Sequence, residues 1–133
     1  MANRIVKRYN VFTEAAADGV IAVPVNIQKA KHVSVIISTD DSADLTIKCQ
    51  TALGESAPDF NAAQSDTNPW DYQGMYDMQS ALHVAGDTGI SFGGTDDVRI
   101  FEVNINLADW LSFEISSYVA GDITVQVVTC DNQ

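Results

Sequence analysis

The chain has 133 residues, 46% of them hydrophobic and 19% charged, which suits one globular domain over residues 1–133 and leaves little room for a second. Seven basic residues against eighteen acidic ones give a formal charge of -11, so binding of nucleic acid or another polyanion is disfavoured unless the few positive charges gather in one place. No stretch approaches the roughly 18 consecutive apolar residues of a membrane helix, and the N-terminal MANRIVKRYNVF is too interrupted to serve as the apolar core of a signal peptide. The expectation is a soluble protein that keeps its N-terminus and makes no use of a membrane.

Taken in chain order, residues 1 to 12 predict a basic N-terminal strand. Arg4, Lys7, Arg8, Lys29 and Lys31 are five of the seven basic residues, so residues 1–32 carry +5 and -2 while the remainder carries +2 and -16. Such a strand either docks on an acidic neighbour, another copy of the chain included, or uses its charges to protect a solvated sheet edge. A weaker strand is expected over residues 19 to 27, and Pro24, which cannot donate to a ladder, puts it at an edge or a bulge.

Period-two alternation is clearer further on. Val33, Val35 and Ile37 alternate with Ser34 and Ser38, and Leu45, Ile47 and Cys49 alternate with Thr46 and Lys48. With the turn Asp40-Asp41-Ser42 between them, these two runs predict a hairpin. Residues 53 to 69 are small, polar and proline-containing and read as a long surface loop. Residues 69 to 78 follow as a strand interrupted at Gly74, and residues 85 to 97 as a short strand around Ile90 and Phe92 between two turns.

Phe101, Val103, Ile105 and Leu107, then Leu111, Phe113 and Ile115 around the corner at Ala108-Asp109, predict a second hairpin. Ile123, Val125 and Val127 close the chain through the turn Ala120-Gly121-Asp122. About eight strands with almost no helical periodicity predict an all-β fold, a two-sheet antiparallel sandwich of jelly-roll type. Cys49 shares the parity of Leu45 and Ile47 and should face the core, whereas Cys130 is out of register with Val125 and Val127. The two thiols are expected to be reduced and apart.

Chemistry-bearing patterns are scarce. There is no G-x-S-x-G, no H-E-x-x-H and no phosphate-binding glycine loop, so no catalytic residue is assigned and the chain is not read as an enzyme. Asp40, Asp41 and Asp44, with Asp87, Asp96 and Asp97, would offer oxygen ligands to calcium if their loops met, but Asp-rich turns need no metal when solvated. His32 and His83 are single and far apart, which argues against zinc. No metal and no cofactor is assigned.

The aromatic residues carry more. Trp110 is opposite in parity to Leu111, Phe113 and Ile115, so its indole should point away from the core, and Trp70 and Tyr72 share one face of NPWDY. Exposed, they would stack on sugars or anchor a protein interface; alternatively Trp70 caps one end of the core. Ile36 and Ile100 also fall on nominally polar faces, as expected where another subunit covers a sheet.

The runs SAPDFNAAQSDTNPWDYQGMYDM and GDTGISFGGTDDVRIFEVNINLADWLSFEISSYVAGDITVQV resemble small β-rich structural proteins encoded among the head genes of tailed bacteriophages, a likeness spanning residues 33 to 129. Such proteins are similar to capsid decoration or cement proteins, which sit as oligomers on the outer shell. The resemblance implies a virion protein made in the host cytoplasm, without cofactor or active site. Its implied partners are copies of itself, a trimer being favoured, and the major capsid protein or another virion protein. The expected interface comprises Arg4, Lys7, Arg8, Ile36, Trp70, Tyr72, Ile100 and Trp110. A carbohydrate-binding sandwich module and a neck, tail or fibre-base component are the alternatives.

Overall fold

The computed structural model describes residues 4–20, 23–94, 97–105 and 108–132. Among them are β1 (Arg4–Ala15), β2 (Gly19–Val20), β3 (Val25–Asn26), β4 (His32–Thr39), β5 (Asp44–Ala52), β6 (Asp71–Gln73), β7 (Met75–Asp77), β8 (Leu82–Val84), β9 (Ile90–Gly93), β10 (Asp97–Val103), β11 (Trp110–Ala120) and β12 (Ile123–Asn132). One sheet has the order β1-β12-β4-β10-β7-β8. The other has the order β2-β11-β5-β6, with β3 also on β11 and β9 also on β5. All pairings are antiparallel.

The alternating apolar positions turn one face of each sheet into a shared core. Val35, Ile37, Phe101, Val125 and Val127 from the first sheet meet Leu45, Ile47, Leu111, Phe113 and Ile115 from the second, all almost inaccessible. Each such side chain contributes on the order of 1.5–3 kcal/mol through loss of contact with water. This layered core is the sandwich that the alternation predicts.

The two expected hairpins are not hairpins. β4 pairs with β12 and β10 in the first sheet, while β5 pairs with β11, β6 and β9 in the second. β10 and β11 are likewise in different sheets, and Leu107, counted in that predicted hairpin, lies outside the described residues. The physical reason is that two alternating strands can bury their apolar sides either side by side in one sheet or facing each other across a core. Period two is identical in both cases. The chain therefore passes from sheet to sheet at every connection except β2–β3, β5–β6 and β7–β8. That shuttling gives the jelly-roll character.

The count of about eight strands is low for a related reason. β2 and β3 both add to β11, on either side of the Pro24 region, so one expected edge strand appears as two short pieces. The expected strand over residues 69 to 78 divides at Gly74: β6 joins the second sheet and β7 the first. The His83 side chain and the Val84 carbonyl crowd the place where a Cβ on residue 74 would stand, so a larger residue at the crossing would have to displace the His83 ring. Gly121, at φ 80°, lies against the backbone of Ala43 and closes the β11–β12 turn in the same way.

β1 is no appended arm. It runs along β12, with Tyr9 and Phe12 packed on the core, and its register shifts after Asn10 and again after Phe12. Both cysteines are free. Cys49 is buried in the core, and burial pushes its thiol pKa far above the ordinary value. Cys130 lies half-buried on the outward side of β12, between Val6 of β1 and His32 of β4.

Candidate functional site

The sandwich has two outer faces, and the sequence-predicted interface residues divide between them. On the second sheet, β11 turns Trp110, Ser112 and Glu114 outward, opposite Ala52, Gln50 and Lys48 of β5, as the parity of Trp110 predicts. The surrounding chain then covers them. Residues 53–70 fold back over this face and insert Phe60, which with Trp70 and Ala52 forms a second buried cluster flanked by Val20, Tyr72 and Trp110.

Hydrogen bonds fasten this cover. Gln50 Nε2 donates to the carbonyl of Phe60 (3.1 Å), the Trp70 indole N–H to Ala62 (3.0 Å), and the Trp110 indole N–H to Gly54 (3.0 Å). Asn68 Nδ2 donates to the carbonyls of Asp59 and Ala63 (2.8 and 3.2 Å), tying the two halves of the loop together. Trp70 and Tyr72 do share a face, meeting edge-on with centroids 5.1 Å apart. The Tyr72 hydroxyl donates to Glu114 Oε1 (3.2 Å), and Lys48 Nζ stands 5.0 Å from its ring centroid. Burial first, and the Glu114 charge second, raise the phenol pKa. Trp70 is buried, and Trp110 and Tyr72 are half-buried. These aromatics line a covered seam, and Trp110 is a closing contact of its own subunit where the sequence suggests an exposed anchor.

The first sheet is different. Its outward residues include Ile36 directly opposite Ile100, with Val98 two residues along the same strand and Met78 following β7. Met78 donates its backbone N–H to the carbonyl of Ile100 (3.1 Å), which places it beside this pair. Ile100 is 47% exposed, Val98 63%, Met78 50% and Tyr76 39%, while Ile36 is half-buried. No segment among the described residues folds over this strip. Sequence reasoning named Ile36 and Ile100 and missed Val98, Met78 and Tyr76. Val98 carried a usable signal, because its parity matches that of Ile100.

Behind the strip, on the inward side of β10, Arg99 is ion-paired with the buried Asp77 of β7 and lies over the rings of Phe101 and Phe92, 5.2 and 5.9 Å from their centroids. Burial alone would raise the Asp77 pKa. Hydrogen bonds from Ser80 and the Gln79 amide, together with the Arg99 charge, outweigh it and hold the carboxyl below its ordinary value. The pair fixes β7 against β10 beneath the exposed face.

Alternation also separates the predicted basic residues. Lys7 has the inward parity of Tyr9 and stands 3.9 Å from the carboxylate of Asp131, while Arg8 has the outward parity of Val6. Arg4 pairs with Asn132 at the start of β1, and its side chain lies outside the described residues. Of the aspartates considered for calcium, Asp40 accepts the Ser42 amide and hydroxyl, both at 3.0 Å, and Asp96 lies outside the described residues. No group of three or more His, Cys, Asp or Glu residues is arranged to hold a metal among the described residues. A cavity of about 970 Å³ opens at the end of the covered face, walled by Leu53, Pro69, Trp70, Asp71, His83 and Ile105 among others.

Comparisons with protein-family models and with curated protein sequences gave no match. Among solved structures, the chain is similar to the SPBc2 prophage-derived protein YomS, with a TM-score of 0.68, 13% sequence identity, and coverage of 97% of this chain and 96% of that one. At that identity the likeness establishes a shared fold, over essentially the full length of both chains.

Proposed function

We propose that the protein is a bacteriophage structural protein that works by binding, as a decoration or cement protein held on the outer surface of the head in several copies. The observation that carries this reading is the open apolar strip of Ile36, Val98, Ile100, Met78 and Tyr76 on the outer face of the first sheet. Contiguous apolar surface of this kind marks a contact with another macromolecule. The likeness in fold to a prophage-derived protein and the resemblance of residues 33 to 129 to phage head proteins support the virion setting. In this reading the strip supplies buried area, with the major capsid protein or a sister subunit as its cover, and the surrounding charges supply orientation. A neck, tail or fibre-base component would use the same strip.

The test is co-sedimentation of the purified protein with expanded, emptied heads of the phage that encodes it. The wild-type chain should saturate the heads, and a Val98→Asp, Ile100→Asp double variant with unchanged thermal unfolding should not. Equal occupancy by both proteins would overturn the role of the strip.

A further inference from the structure

The fold brings Lys7, Arg8, Lys29 and Lys31 to one end of its strands, beside Asp131 and Glu102, and a group of carboxylates to the other. β1, β4 and β12 are neighbours, and the start of β1, the start of β4 and the end of β12 lie together: Lys7 is opposite Thr129, Cys130 is opposite His32, and the Lys31 amide donates to the Cys130 carbonyl (2.8 Å). Lys7 and Lys29 line one shallow cleft there, and Arg8 stands one position further along β1. Among the described residues no carboxylate is ion-paired with Arg8, Lys29 or Lys31; Asp131 is engaged by Lys7, and Asp109 by the Gly54 amide (2.6 Å).

The opposite end is acidic. Asp122 follows the β11–β12 turn and its carbonyl accepts the Asp40 amide (3.4 Å), Asp41 and Asp44 belong to the same β4–β5 corner, and Asp97 is opposite Thr39. Glu14 donates its amide to Thr124 (3.1 Å), and Asp18 accepts the Tyr118 amide (3.0 Å), which brings the β1–β2 corner to the same end. From Ile123 to Cys130 along β12 the two ends are roughly 23 Å apart at the strand rise of about 3.3 Å per residue. The Debye length at physiological ionic strength is about 8 Å, so the ends cannot neutralise each other within one subunit.

We propose that the lysine-rich end formed by Lys7, Arg8, Lys29 and Lys31 docks on the acidic end of a second copy of this chain, so that copies associate head to tail. Each end then finds in a neighbour the charge that its own fold holds out of reach. Because the two contacting surfaces differ, such an interface closes into a ring or continues as a filament, in contrast to a two-fold dimer that uses one patch twice. This deepens the structural-protein reading by naming a partner and a geometry. It involves a surface distinct from the apolar strip and is tested on purified protein alone, so its failure would leave head binding untouched.

Sedimentation velocity at low and high ionic strength should show salt-sensitive association of the wild-type chain. Lys29→Glu with Lys31→Glu cancels the positive charge of the first end, and Asp41→Lys with Asp44→Lys more than halves the negative charge of the second, while each variant keeps its other end intact. Each variant alone should self-associate at least about tenfold more weakly, and mixing the two should restore association as pairs of unlike variants. Restoration on mixing is a result that misfolded variants would not give. A wild-type chain that stays monomeric at low salt, variants that associate as well as wild type, a mixture that fails to pair, or capture of duplex DNA by the lysine-rich end in place of self-association would each overturn the proposal.

Discussion

The outer face of the second sheet and that of the first both carry large apolar side chains at positions that alternation turns away from the core. On the second sheet, Trp110 and Tyr72 are met by Phe60 and Trp70 from a loop of the same chain, and polar groups of that loop are hydrogen-bonded into the seam. On the first, Ile100, Val98 and Met78 stay about half exposed or more, and no loop among the described residues covers them. The difference separates two uses of an outward apolar residue: one extends the core into a third layer and adds stability, while the other leaves hydrophobic surface available for a partner.

Substitutions can break that distinction in a graded way. Trp70→Ala should cost about 3–5 kcal/mol, because it removes the largest member of the covered cluster and leaves a void under the loop; urea unfolding would measure it. Asp77→Ala should cost about 3 kcal/mol or more by leaving Arg99 buried without its counter-charge, and would loosen β7 beneath the open strip.

The same aspartate sets a pH dependence. Its pKa is lower folded than unfolded, so its contribution to stability is complete above the unfolded value of about 3.9 and is lost as pH falls through the lower folded value. The urea midpoint of the wild-type chain should therefore fall more steeply with acidification in that window than that of Asp77→Asn. A parallel fall would show that the carboxylate gains nothing from its neighbours.

Asn68→Ala should cost about 1–2 kcal/mol through loss of its three side-chain hydrogen bonds, and should raise loop proteolysis before it lowers the global transition. The smallest expected stability effect is at the open face. Ile100→Ser should change unfolding by no more than about 0.5 kcal/mol while reducing partner binding. A large loss of stability from Ile100→Ser, or none from Trp70→Ala, would reverse the assignment of the two faces.

Much of this was legible in the sequence, though unevenly. Parity alone located Trp110, Ile36 and Ile100 outside the core and Cys49 within it, since side-chain direction follows from position along a strand. Pro24 and Gly74 marked real interruptions, the first because it cannot donate to a ladder and the second because a residue without a side chain fits a crowded crossing. What parity could not show was the identity of the cover. Whether Trp110 is concealed by a sister molecule or by residues 53–70 depends on a loop returning across some forty positions of sequence, and small polar residues carry no periodic signal of that return. The hairpin expectation failed for a related reason: pairing partners are long-range facts, whereas alternation is local. The axial separation of charge was visible only in part, as a basic beginning and an acidic remainder; the lysines of the β3–β4 connection join β1 because β4 and β1 flank β12.

The two thiols give the molecule a built-in footprint. An alkylating reagent reaching Cys130 reports on the open sheet beside Val6 and His32, whereas Cys49, enclosed in the core, reacts only when the sandwich unfolds. Anything that settles over that sheet should slow labelling of the first cysteine and leave the second as an internal clock of global opening, so occupancy of the sheet can be followed without adding a probe.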